Sequence, residues 1–198
     1  MKNKTVLVDI DTQFDFMNPK GALYVPDAEG IIDNIKKLFV YAKEHKIKIL
    51  SSIDAHKVDD PEFKLFPPHC VKGTPGNQKI EASTFKDNIV IQNVEQDITE
   101  PMLDHEQIIV EGQTFDIFES ISTDEIVEKL DTQNYVVFGV ATDYCVKAAV
   151  LGLLKRGYNV SLVMDAVKAI TKEGEEKALK EMKDAGSAFT TTEDIIAK

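Results

Sequence analysis

The sequence predicts an α/β fold in which a central, mostly parallel sheet lies between two layers of helices (three-layer α/β/α, Rossmann-like). Three observations carry this. Short apolar, β-rich runs alternate with stretches of helical periodicity along the 198 residues, as in chains of βαβ units. Several of the runs are apolar nearly throughout, as expected of strands covered on both faces. Acidic, His or Cys residues fall just past the ends of these runs, where open α/β sheets bind ligands.

Residues 5–10 (TVLVDI) are the first strand, followed by a loop carrying Asp11, Phe14, Asp15, Phe16 and Gly21. Residues 29–45 read as a helix, with Ile31, Ile32, Ile35, Leu38, Phe39 and Ala42 on one face. The second strand is placed at 46–52, ending before Asp54 and His56. A long stretch with Pro and Gly but no periodicity follows, and loops of that length are usually functional or disordered. Residues 88–92 are read as an accessory strand, and 107–110 as a third main strand entering EGQTFDIFES. Residues 122–131 form a short helix capped by Ser122 or Thr123. The fourth main strand, 135–138, ends at Gly139, and Thr142 and Asp143 are candidate N-caps of the next helix. Val146, Ala149, Val150 and Leu153 then recur at helical spacing until Gly157 stops the helix. Residues 159–164 are the fifth main strand, 172–185 an amphipathic helix, and 188–191 a short edge strand. One domain spanning 1–198 is expected.

Composition narrows the function. A hydrophobic content of 43% supports a packed core. The net charge of −11 argues against nucleic acid or an anionic membrane as the partner. The two cysteines, Cys70 and Cys145, are far apart and fit a reduced, cytoplasmic setting. No stretch approaches the roughly 18 apolar residues of a membrane span, and residues 1–10 contain no apolar core of signal-peptide type.

Cys145 falls in the first turn of a helix just past a strand's carboxyl end. Free backbone N–H groups and the helix dipole there favour a thiolate and could hold an oxyanion. The alternative reading is a small buried hydrophobe, as most free cysteines are. Asp11 could take the thiol proton or cap its own loop; for Asp15 the loop role is expected. Asp54, His56, Glu62 and His69 lie within sixteen residues and form a mixed N/O set suited to Zn²⁺, Mn²⁺ or Fe²⁺ rather than Ca²⁺ or Mg²⁺. Cys70, beside His69, is assigned a structural role, and His45 and His105 a surface one. Phe14, Phe16 and Phe66 could stack on a flat heteroaromatic ligand, or pack the loops onto the body.

Three segments together resemble the isochorismatase-like cysteine hydrolases, and most closely the nicotinamidases. They are Asp11-Thr12-Gln13-Phe14-Asp15-Phe16, then Asp54-Ala55-His56 with Phe66-Pro67-Pro68-His69-Cys70-Val71, and Gly139-Val140-Ala141-Thr142-Asp143-Tyr144-Cys145-Val146. The resemblance runs from the first strand to the fifth. It implies a hydrolase that converts nicotinamide, or a similar aromatic carboxamide, to the acid and ammonia through a Cys145 thioester, within pyridine-nucleotide salvage. Asp11 would be the general base, and the N–H groups of Ala141 and Cys145 the oxyanion hole behind a cis Val140–Ala141 peptide. A divalent metal, Zn²⁺ first with Mn²⁺ or Fe²⁺ next, would sit on Asp54, His56 and His69, with Glu62 where many relatives have another His. Phe16 and Phe66, with Val140, would line the ring pocket, and the resemblance also implies a homo-oligomer.

One position departs from the family pattern. Counting six residues back from Phe118 places Gly112 where the family's catalytic Lys is expected, so Cys145 should be harder to ionise. Two further readings follow: a metal-independent isochorismatase-type or other carboxamide hydrolase, and a catalytically impaired relative that only binds its ligand.

Overall fold

The computed structural model describes residues 5–197; residues 1–4 and 198, the ends of the expected domain, lie outside them. Among the described residues seven strands form one sheet: β1 (Thr5–Ile10), β2 (Ile49–Asp54), β3 (Asn88–Ile91), β4 (Gln107–Gly112), β5 (Asn134–Val140), β6 (Asn159–Lys168) and β7 (Ala188–Thr190). Their order is β3-β4-β2-β1-β5-β6-β7, and every pairing is parallel. The chain winds outward from β1 in both directions, so β1 and its neighbours β2 and β5 border the switch point at which such sheets bind ligands.

The main helices are α1 (Ile32–His45), α2 (Thr123–Lys129), α3 (Lys147–Lys155) and α4 (Lys172–Asp184). α1 packs on β6 and on the short helix Thr192–Ile196, whereas α3 packs on α4, β5 and β6. The central strands are buried almost end to end, as their apolar composition requires: Leu7, Ile49, Ile108 and Val137 are fully enclosed. Phe138 is likewise fully buried and meets Phe39 of α1 edge-on, ring centroids 6.2 Å apart. Replacing Phe138 with Ala should cost about 3–5 kcal/mol of stability, read as a lower midpoint of urea unfolding with an unchanged slope.

The structure moves several expected boundaries. β2 begins at Ile49, three residues later than expected, because Lys46 adopts φ +54° and closes α1 by donating its N–H to Ala42 and Lys43. It also runs on through Asp54, whose N–H donates to Gln13 Oε1 at 2.7 Å. β6 continues to Lys168 past a register shift against β5. Ser122 occupies the N-cap position of α2 without a side-chain bond, and Thr123 instead donates to the Ile117 carbonyl.

Thr142 and Asp143 do not cap a helix. The chain leaves β5 through a wide π-type turn, Thr142–Val146, whose N-cap position is held by Ala141. Asp143 instead accepts the N–H groups of Ile170 and Thr171, joining this turn to the start of α4. Cys145 thus lies in a π turn rather than a regular first α-turn; such turns are frequent at functional sites.

Candidate active site

At the end of β1 the chain turns through Asp11, with φ +49°. Its carboxylate is almost wholly buried and accepts the Ser52 hydroxyl of β2 at 2.6 Å. The Cys145 thiol also hydrogen-bonds this carboxylate. Burial, reinforced by the Asp54 charge, pushes the Asp11 carboxyl up to about 7. Burial also pushes the Cys145 thiol well up, with Asp11 and Asp54 acting in the same direction and the Ala141 N–H opposing them. In this environment the resting pair is a thiol beside a basic carboxylate.

The Val140–Ala141 peptide is cis, as the resemblance implies. The Ala141 carbonyl accepts the N–H groups of Tyr144 and Val146. Its own N–H is directed towards the Cys145 sulfur.

Beside this pair, Asp54, His56 and His69 bring their ligand atoms within 4.8 Å of one another. The Asp54 carboxylate lies 3.7 Å from His56 Nε2 and 3.6 Å from His69 Nε2. All three side chains are buried. Neither His56 ring nitrogen makes a hydrogen bond of acceptable geometry, a costly state for a buried imidazole unless a ligand takes its lone pair. The donor set of two imidazoles and a carboxylate, with the His56 Nε2 that faces Asp54 among the unbonded nitrogens, fits a divalent metal of the Zn²⁺ class. Glu62 does not join that trio; its carboxylate groups with His56 and Asp60. Burial raises Glu62 above the usual carboxylate range. Burial disfavours charge on His56, yet Asp54 and Asp60 outweigh it and push the ring up to about 9.

Three residues in this arrangement carry no role in the sequence reading. Asp60 Oδ2 lies 3.0 Å from His56 Nδ1, the outer carboxylate that commonly orients a metal-binding His; the four-residue spacing was its only signal. Gln13 donates to the Asp54 carbonyl and accepts the Asp54 N–H, fixing the backbone of a ligand. Lys79 is buried against Asp9 at 2.8 Å and also donates to Thr12, forming a closed ion pair next to the Asp11 turn.

A pocket whose free space measures about 80 Å³ opens over these groups. Phe16, Phe66, Val140 and Ala141 line it, together with Asp54, Glu62, His69 and Cys145. Phe115 and Tyr144, not expected from the sequence, add a second aromatic wall. The Phe16 ring sits 5.5 Å from His69. Phe14 is absent from the lining. Asp15 serves the loop, accepting the N–H groups of Ala22 and Cys70. Cys70 is fully buried, which raises its thiol far above the ordinary value. A larger surface groove of about 820 Å³ between Ile32–Glu44 and Ile80–Lys86 shares no residue with this pocket.

Gly112 ends β4 in register with Asp54 of β2, so a side chain there would share the face that carries Asp54 and Ser52. A Cβ at this position would meet only the Thr114 carbonyl, at 3.6 Å. The backbone therefore leaves room for a Cβ where the sequence lacks one.

The isochorismatase domain family model matches residues 5–194. Nicotinamidase from Saccharomyces cerevisiae is 28% identical, the match covering 87% of this chain and 91% of that protein. Nicotinamidase from Escherichia coli is 27% identical over 95% of both. Among solved structures, the pyrazinamidase of Pyrococcus horikoshii in complex with zinc superimposes with a TM-score of 0.79 at 31% identity, covering 95% of this chain and 99% of that one.

Proposed function

Because the chain belongs to the isochorismatase family, we propose that it is a nicotinamidase-like amidohydrolase that converts nicotinamide, or a close aromatic carboxamide, to the acid and ammonia. The observation that supports this most is the union of the Asp11–Cys145 pair with the Asp54, His56 and His69 cluster in one aromatic-walled pocket. A flat ring held between Phe16 and Phe66 would place its carboxamide over the Cys145 sulfur.

Asp11 takes the thiol proton as the sulfur attacks the carboxamide carbon. The carbonyl oxygen gains the negative charge and is met by the N–H groups of Ala141 and Cys145. Asp11 then returns the proton to the departing nitrogen, and ammonia leaves a Cys145 thioester. Water, deprotonated by Asp11, hydrolyses the thioester and regenerates the thiol. A metal held by Asp54, His56 and His69, with Glu62 nearby, would supply a Lewis-acid anchor for a ring nitrogen of the substrate. Ser52 holds the Asp11 carboxylate in place through its 2.6 Å hydrogen bond.

The direct test is formation of the pyridine carboxylate from nicotinamide, with Zn²⁺ supplied. Absence of product from folded, metal-loaded protein would defeat the substrate assignment. The pH profile tests the base. Asp11 must be ionised to act, and its carboxyl is raised to about 7, so kcat/KM should fall about tenfold for each pH unit below 7. Metal content measured at each pH separates this loss from release of the metal. A flat profile down to pH 5 at constant metal content would exclude Asp11 as the base.

A further inference from the structure

Next to the aromatic pocket, with which it shares Asp54, Phe115 and Cys145, lies a second, smaller cavity. Asp11, Cys145, Gly112, Asp54 and Ser120 are among the residues that line it. It leaves about 10 Å³ for the centre of a water-sized sphere, which is room for one water molecule or one ion of that size. Ser120 is 4% exposed, and its buried hydroxyl has no hydrogen-bond partner among the described residues. Such a group is normally satisfied by a bound species.

The walls carry the carboxylates of Asp11, Asp54 and Glu111 and no lysine or arginine. Glu111 is engaged by Lys72 at 2.7 Å. The buried Lys79 ammonium is held by Asp9 and is the weakest of the main influences on Asp11. The charge of Asp54 is met by His56 and His69, whereas Asp11, hydrogen-bonded by the neutral Ser52 hydroxyl and the Cys145 thiol, borders a water-sized space that also holds an unsatisfied hydroxyl. A buried carboxylate such as Asp11 in that position calls for a counter-charge. The species that fits must be water-sized, positively charged and able to donate several hydrogen bonds to oxygen.

We propose that this cavity is a binding site for a free ammonium ion. The ion would donate to Asp11 and Ser120 and favour the thiolate form of Cys145 during attack. Its source in turnover is the reaction itself, which releases ammonia beside the cavity, so progress curves started without ammonium should accelerate. That kinetic expectation rests on the amidohydrolase reading; occupancy of the cavity does not, and the two are separable by experiment.

The test is the rate of Cys145 alkylation by iodoacetamide at pH 7 in the zinc-loaded protein, with ammonium chloride titrated against tetramethylammonium chloride at equal ionic strength. Alkylation should rise saturably, roughly tenfold, with ammonium only. The Cys145→Ala protein, which retains Cys70, serves as the blank. Gly112→Lys, whose side chain would start from the cavity wall and bring a covalent amine to Asp11, should react fast without ammonium and ignore its addition. Ser120→Ala should raise the half-saturating ammonium concentration, and it keeps the proposal testable if the lysine variant fails to fold. Equal responses to the two cations would overturn the site, as would an ammonium response that survives unchanged in Gly112→Lys. An equal response to potassium would overturn ammonium as the occupant. An ammonium-specific response in protein that does not hydrolyse nicotinamide would uphold the site while the substrate assignment falls.

Discussion

Cys145→Ala protein should release no measurable pyridine carboxylate from nicotinamide, a loss of at least about a thousandfold, while still binding the substrate. The expectation rests on position. The sulfur reaches the Asp11 carboxylate and faces the Ala141 N–H in the pocket that would hold the ring. Nothing else in the pocket lining offers a comparable nucleophile, and Cys70 is sealed beneath the loops with its thiol pushed far up by burial. Removing one sulfur atom from a half-buried side chain leaves Phe16, Phe66 and the metal ligands in place, so affinity measured calorimetrically should change little. Retained turnover would remove the covalent mechanism outright. Lost turnover with equally lost binding would mean the variant had disturbed the pocket rather than the chemistry.

Replacing His56 with Ala should remove the bound metal, with the apparent dissociation constant rising by at least about a hundredfold, and weaken substrate binding with it. His56 is the central ligand of the cluster: fully buried, beside Asp54, and backed by Asp60 on its other nitrogen. Asp60→Asn keeps the size of the backing side chain and removes its charge, so it should lower metal affinity by roughly tenfold without abolishing binding. Metal content by elemental analysis, alongside the melting temperature, gives the readout. Full metal occupancy in His56→Ala would mean that the ion sits elsewhere or that these residues do not hold one.

Most of the sheet was legible because its strands are apolar runs bounded by Gly, Asp or Asn. The failures have local causes. The alternation of Lys and Ile at 46–49 imitates a strand, but Lys46 is the left-handed residue that closes α1. A Thr-Asp pair before an apolar helix imitates an N-cap, but Asp143 has a long-range task at the start of α4. The five-residue helix Thr192–Ile196 went unread although Thr191 and Asp194 form a capping box; its apolar stripe is too short to show periodicity.

At the site, the chain's chemistry could be read wherever reactive side chains follow a strand, as Asp11, Asp54 and Cys145 do. What could not be read depends on distant pairings. Lys79 and Asp9 are 70 positions apart in the chain yet share a buried ion pair, and no spacing rule links them. Phe115 and Tyr144 are largely exposed aromatics, more than a third accessible, and only the pocket that they line together with Phe16 and Phe66 gives them a role.

The Asp15 carboxylate has a consequence for motion. One of its oxygens accepts the Ala22 N–H of the loop after β1, and the other accepts the Cys70 N–H beside His69. Gly21 and Gly76 press against this residue so closely that a Cβ would stand 2.3 Å from its backbone oxygen and 2.0 Å from its carboxylate, respectively. The segment bearing Phe16 and the segment bearing His69 are thus rivetted to one another as well as to the sheet. Neither can fray alone without stranding half of a buried carboxylate, so local opening of this region should be concerted, with aromatic wall and metal ligand exposed in the same event. The pocket behaves as one hinged panel whose smallest unit of disorder already includes two of its working parts.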